Sequence, residues 1–226
     1  NVIATRMVNV LFIFGLAGMI MGSVLAILEK DTRRMIAYSS VAQIGYIYMG
    51  IGLGTGGGMV AAVFHMFTHS ATKALLFISA VGLYEVSGDK KDFASLRGAG
   101  YRNPLAGIGF TVGALSMVGF PMLSGFISKL LFATSALDSP HKMMPTLIGL
   151  AVSTVLNAIY FLRLVITLYR GGEETEKTDQ GRETALLYHP GMLRLAICGF
   201  ILLNLFLGLN SQPIVGSIAA GLAMFD

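Results

Sequence analysis

Apolar residues in this chain run in six blocks, each long enough to cross a bilayer at about 20 residues per crossing. The blocks cover residues 7–28, 35–53, 59–84, 105–137, 146–169 and 192–209. In lipid, every backbone polar group must find its partner inside the protein, so an apolar block of this length folds as a helix. The expected fold is therefore all-α: a polytopic transmembrane helix bundle of about six spans. The fourth block is too long for one straight crossing and is interrupted near its middle. The tail, 213–225, is apolar but too short to span, which leaves it at the interface or against a partner helix.

Composition agrees. Charged residues make up 12% of the 226, and mean hydropathy is +0.72. Soluble domains carry about 25% charged residues. The 28 glycines suit close helix contact in lipid, where small residues let backbones approach. With no Trp, an aromatic belt falls to Tyr84, Tyr101, Tyr169 and Tyr188 near predicted helix ends, or these are ordinary packing residues. The one cysteine, Cys198, excludes an internal disulfide, and no Cys/His spacing suggests a metal or haem site. No cofactor is expected. The net charge of +4 belongs to loops, not to a nucleic-acid face. Asn1 opens the chain without a signal-peptide pattern, so the chain reads as a processed product or a piece of a longer protein.

The loops give an orientation. With the amino terminus on side A, side B collects Lys30, Arg33, Arg34, Lys90, Lys91, Arg97, Arg102, Arg170, Lys177 and Arg182. Side A receives only Arg6 and Lys142. Positive charge marks the cytoplasmic face, here of a prokaryotic inner membrane. Asp31 is an expected N-cap of the second helix. The polar, mixed-charge loop from Gly171 to Glu183 reads as a solvated linker, with a partner contact as the alternative. Arg163 lies near the side B end of its helix and is expected to snorkel, and His141 and His189 sit beside prolines in expected loops.

Lys73 stands near the centre of the third block. An ionisable group at that depth is expensive and marks charge movement. His69 and His65 precede it by four and eight residues, so all three share one helix face over about 12 Å. Such a row suits a proton relay; a polar seam gluing two helices is the alternative. Thr68, Ser70 and Thr72 add hydroxyls. A second site lies in the fourth block, where Pro121, between Gly119 and Gly125, is expected to break the helix at membrane depth. Lys129 comes in the first turns of the second half-helix, either as a relay member or snorkelling to side A. All twelve acidic residues lie in loops or at segment ends, so no carboxylate cage for sodium is present in a span. Lys and His point to protons. Gln43 and Asn157 read as helix–helix glue.

Three blocks carry a family resemblance. Asp31-Thr-Arg-Arg-Met-Ile-Ala-Tyr-Ser-Ser-Val-Ala-Gln-Ile-Gly-Tyr46 resembles the signature of the antiporter-like subunits of respiratory complex I and their relatives. Phe64-His-Met-Phe-Thr-His-Ser-Ala-Thr-Lys-Ala-Leu-Leu-Phe77 is similar to that family's central helix. Gly119-Phe-Pro through Gly125-Phe126 and Lys129 resemble its second broken helix. The family includes proton-pumping complex I subunits, large subunits of Mrp-type cation/proton antiporters, and membrane subunits of energy-converting hydrogenases. Full members have about fourteen helices around two inverted five-helix repeats.

The resemblance implies that residues 1–170 form the second repeat, 171–189 a polar cytoplasmic loop, and 190–226 the final helix with an apolar tail. It places Lys73, His69 and His65 on a central hydrophilic axis and Lys129 on the broken helix, where some members carry Glu. The first repeat, with its glutamate–lysine pair, is absent from this chain. The resemblance further implies a non-redox, proton-translocating subunit of a proton-translocating oxidoreductase. Its partners are other membrane subunits of a respiratory or hydrogenase-type complex, and the lipid bilayer. A structural scaffold without transport and an Mrp-type antiporter subunit are the alternatives.

Overall fold

A computed structural model of the chain describes residues 2–171 and 190–224. Most of the polar loop, with Tyr188 and His189, lies outside the described residues. Among the described residues there are nine helices in chain order: α1 (Val2–Leu28), α2 (Thr32–Gly52), α3 (Gly56–Glu85), α4 (Ala99–Arg102), α5 (Pro104–Val118), α6 (Ser124–Ala136), α7 (Pro140–Tyr169), α8 (Pro190–Leu209) and α9 (Ser211–Leu222). Parts of α1, α3, α7 and α8 are each long and apolar enough to cross a membrane. The 21-residue α2 also reaches across, but Arg33, Arg34 and Gln43 dilute its apolar character. α5 and α6 lie where the broken crossing is expected, so the fold is roughly consistent with the six spans read from the sequence. The tail forms α9, separate from α8.

Local chemistry sets the helix limits. Asp31 is the N-cap of α2, its carboxylate accepting from the Arg34 N–H at 3.0 Å. Thr55 caps α3 in the same way, accepting from Gly58. Pro140 opens α7, where a missing N–H costs nothing, so this helix begins six residues before the expected segment. His141 and Lys142 are therefore in its first turn, not in a loop. Asn103 caps α5, and its amide also donates to Gly82 O of α3 at 3.0 Å.

At one end of the bundle, the α1–α2 turn pairs with the loop after α3. Thr32 N–H donates to Lys91 O, and Phe93 N–H to Lys30 O. Ser95 donates its backbone N–H and its hydroxyl to Asp92, holding that carboxyl below the usual carboxylate range. Arg163 of α7 donates to the carbonyls of Ile27 and Glu29 at the end of α1. At the other end, Lys142 donates to Gly52 O, the last residue of α2. Each cation meets the negative end of a helix dipole. Arg163 thus does structural work at the interface beyond snorkelling.

α1 and α2 lie against each other at very short range. A side chain at Gly15, Gly22, Gly45 or Gly52 would meet the other helix's backbone at 2.4 to 2.5 Å. That contact accounts for four of the six glycines on the two helices. α3 is the central element, packed by α2, α5, α6, α8 and α9. Two apolar clusters fill the bundle. One gathers Met35, Leu75, Leu83, Phe110 and Phe161; the other gathers Phe12, Met19, Tyr46, Met49 and Phe132. A set of buried polar residues lies between them. Cys198 is exposed on α8. Of the expected belt tyrosines, Tyr101 is exposed and packs edge-on against Tyr169, whereas Tyr84 is buried.

Candidate functional site

Lys73 is buried, 7% exposed. It donates to Ile36 O at 2.6 Å and to the Ser39 hydroxyl, both on α2. The Ile36 carbonyl lies within a helix, so this amine is no end cap. His65 is also buried, and its Nδ1 is 2.5 Å from the Ser128 hydroxyl on α6. Its ring stacks on Tyr46 at 5.4 Å and on His69 at 6.0 Å, with Phe132 edge-on. The single face read from the spacing is therefore shared among neighbours: Lys73 turns to α2, His65 to α6, and the two histidines stack between.

The fourth crossing breaks where expected, but Gly119 ends α5 two residues before Pro121. Gly119 has φ +95, and the N–H groups of Gly119 and Phe120 fold back onto Ser116 O and Leu115 O. This is the glycine-terminated hydrogen-bond pair common at helix ends. Phe120, Pro121 and Met122 are exposed on the chain. The freed carbonyls are taken up from inside the bundle. Lys129 donates to Val118 O at 2.6 Å and to Thr154 of α7 at 3.0 Å. Asn157 of α7 donates to Met117 O at 3.4 Å. The Lys129 amine thus turns back to the break instead of running to side A. It stands 5.8 Å from the Tyr46 ring.

Gly125 allows the two half-helices to meet. A Cβ there would lie 1.8 Å from Ser116 O. Close by, Asn204 of α8 accepts from Thr72 at 2.7 Å, Ser124 at 2.9 Å and Ser116 at 3.1 Å. This node joins α3, α5, α6 and α8. Sequence reasoning missed it, because a lone Asn late in an apolar helix gives no signal until three hydroxyls from distant segments converge on it. Ser39 and Ser128 were missed too; each lies on a polar stripe whose partner helix the sequence does not name.

A cavity of about 10 Å³, room for the centre of roughly one water, lies among these elements. Gln43, His65, Thr68, His69, Thr72, Ser116 and Lys129 line it. The Gln43 Nε2, His65 Nε2 and His69 Nδ1 atoms are buried without a hydrogen-bond partner. The His65 and His69 rings stack at 6.0 Å, and Lys73 follows His69 by four residues on the same helix. The arrangement can hold protons on three basic groups around a polar void, His65, His69 and Lys129, with Lys73 one helical turn beyond His69.

Fold and site together define a polytopic membrane bundle with ionisable groups held at mid-depth beside a broken helix. The profile of the NADH:quinone oxidoreductase/Mrp antiporter transmembrane family matches residues 2–156, and the chain belongs to that family. It is 36% identical over 158 residues to NADH-quinone oxidoreductase subunit N of Desulforudis audaxviator, covering 69% of this chain and 30% of that protein. The Mrp complex of a Dietzia species superposes with a TM-score of 0.80 at 24% identity, covering 96% of this chain and 47% of that one. Respiratory complex I of Thermus thermophilus with bound aureothin gives 0.72 at 26% identity, covering 93% and 45%. The chain spans 30–40% of the length of curated subunit N relatives.

Proposed function

We propose that this chain is the second antiporter-like repeat and final helix of a proton-translocating membrane subunit. Residues 1–170 supply the repeat, 171–189 a polar loop, and 190–226 the final helix with α9. Lys73, His69, His65 and Lys129 carry the proton. Gly119, Pro121 and Gly125 form the break that opens a route beside Lys129. Its partners are other membrane subunits of a multisubunit complex of the NADH:quinone oxidoreductase, Mrp or hydrogenase type. The basic loops face the cytoplasm of a prokaryotic inner membrane.

One observation carries the reading: a polar cavity brings His65, His69 and Lys129 together, with Lys73 one helical turn beyond His69 on α3. A buried void with unpartnered nitrogens is costly to keep in a structural bundle. A relay needs it, because a water there bridges groups that do not touch.

One observation favours a static scaffold: Lys73 does not line the cavity, and both of its hydrogen bonds go to α2. Lys73→Ala separates the two readings in the assembled complex. Proton pumping is expected to disappear with assembly intact; pumping at the wild-type rate refutes the relay.

A further inference from the structure

Asn204 and Gly208 stand i, i+4 on α8, so they share one face of that helix. Both are buried, and both meet the break between α5 and α6. The Asn204 amide donates to Phe200 O at 3.0 Å, which turns the carboxamide oxygen into the bundle. That oxygen accepts from Ser116 in the last turn of α5 at 3.1 Å and from Ser124, the first residue of α6, at 2.9 Å. One side chain of α8 therefore holds both rims of the break. The Ser116 hydroxyl in turn accepts from the Gly125 N–H at 3.3 Å, one of the free donors at the start of α6.

Gly208 meets the turn itself. A Cβ there would overlap Met122 O and lie 2.8 Å from the Leu123 carbonyl carbon. Backbone rests on backbone, with no flexible side chain to give way. Gly199, on the same helix, has open space where its Cβ would be. The turn against Gly208 is strained: Met122 has φ +73, a left-handed conformation that a residue with a Cβ keeps only where its surroundings dictate it. α8 supplies those surroundings. Ser116 and Gly125 also line the polar cavity beside His65, His69 and Lys129, as does Thr72, the third donor to Asn204 at 2.7 Å. Asn204 and Gly208 stand behind that wall. A shift of α8 away from the break displaces the cavity wall at three points.

We propose that Asn204 and Gly208 are positioning residues, which clamp the broken crossing to α8 and so hold the cavity wall in the geometry that transport uses. The inference rests on the transport reading. The clamp acts through Ser116, Ser124, Thr72 and the Met122–Leu123 turn, not by carrying a proton itself. Proton transfer is steep in distance, so a small displacement of the wall slows it strongly. In the transport reading the driving reaction takes place on other chains. A loosened clamp therefore lowers the protons moved per turnover, while turnover itself is retained.

The test uses the full-length protein in its assembled complex, reconstituted in liposomes. Protons moved per turnover of the driving reaction are measured for Asn204→Leu, Asn204→Asp, Gly208→Ala, Gly199→Ala and Lys73→Ala. Asn204→Leu removes the acceptor, and Gly208→Ala forces the turn off α8. A several-fold lower ratio is expected in both, with turnover retained. Asn204→Asp is expected to recover most of the ratio, because a protonated carboxyl offers an acceptor oxygen and a donor in the same places. Gly199→Ala is expected to match the wild type. A wild-type ratio in Asn204→Leu and Gly208→Ala, alongside a dead Lys73→Ala, overturns the clamp alone. A wild-type ratio in Lys73→Ala overturns the transport reading itself. Should Gly208→Ala fail to assemble, the two Asn204 variants decide: loss in Leu with recovery in Asp supports the clamp, and equal ratios in the two overturn it.

Discussion

Asn204 presents one carboxamide oxygen to the hydroxyls of Thr72, Ser116 and Ser124. That oxygen has two lone pairs, so three donors do not all bond to it at once. Thr72 has Thr68 O as an alternative at 2.7 Å, and Ser116 and Ser124 are 3.2 Å apart. The node therefore tolerates some rearrangement but not removal of its acceptor. Asn204→Leu leaves Ser116 and Ser124 only longer contacts, at 3.3 Å with Thr72 and 3.2 Å with each other, a loss within the range of about 1–3 kcal/mol for a weakened buried hydrogen bond. The expected value is near the lower end, about 1 kcal/mol, because Thr72 retains its alternative. Thermal denaturation of the purified assembly measures it as a lower melting temperature. An unchanged melting temperature would show that the three hydroxyls pair among themselves without Asn204.

The broken helix separates what glycine does from what proline does. Gly119 holds a left-handed backbone, and a Cβ there would lie 3.0 Å from Lys129 Cδ. Pro121 sits two residues later on an exposed turn, after α5 has already ended. Gly119→Ala is expected to cost about 1–2 kcal/mol through its backbone conformation. Pro121→Ala is expected to stay within about 0.5 kcal/mol of the parent. Melting temperatures of the two variants, measured side by side, decide this; an equal or larger effect at Pro121 would restore proline as the cause of the break. The position of the break was legible in the sequence, because Gly and Pro punctuate a helix wherever they cluster. Which of them ends the helix was not, since that depends on where the carbonyls of Val118 and Met117 find partners, and Lys129 and Asn157 supply those from later segments. The same holds for the site. The i, i+4, i+8 spacing put His65, His69 and Lys73 on one stripe. The spacing says nothing of which neighbour each side chain meets, so the turn of Lys73 toward α2 and of His65 toward α6 came only with the tertiary packing. Six crossings were legible because span length is a property of each segment alone.

Among the described residues, four cations sit where helix carbonyls lack partners. Arg163 serves the end of α1, Lys142 the end of α2, Arg102 the end of α3 and Lys129 the end of α5. Lys73 breaks the pattern. Its acceptors have other donors, since the Ser39 hydroxyl donates to Ile36 O at 2.8 Å. Removing the amine therefore leaves no polar group stranded, and it lifts the desolvation cost of an ammonium among apolar side chains. Lys142→Met, by contrast, strips Gly52 O of its cation and costs about 0.3–1 kcal/mol. The two substitutions are expected to act in opposite ways. Lys142→Met lowers the melting temperature of the assembly and leaves pumping intact. Lys73→Met keeps or raises the melting temperature and abolishes pumping. Measuring both properties on both variants tests whether the mid-depth lysine is retained for transport at a cost in stability. A Lys73→Met assembly that melts earlier than the Lys142→Met assembly would make Lys73 a structural tie between α3 and α2.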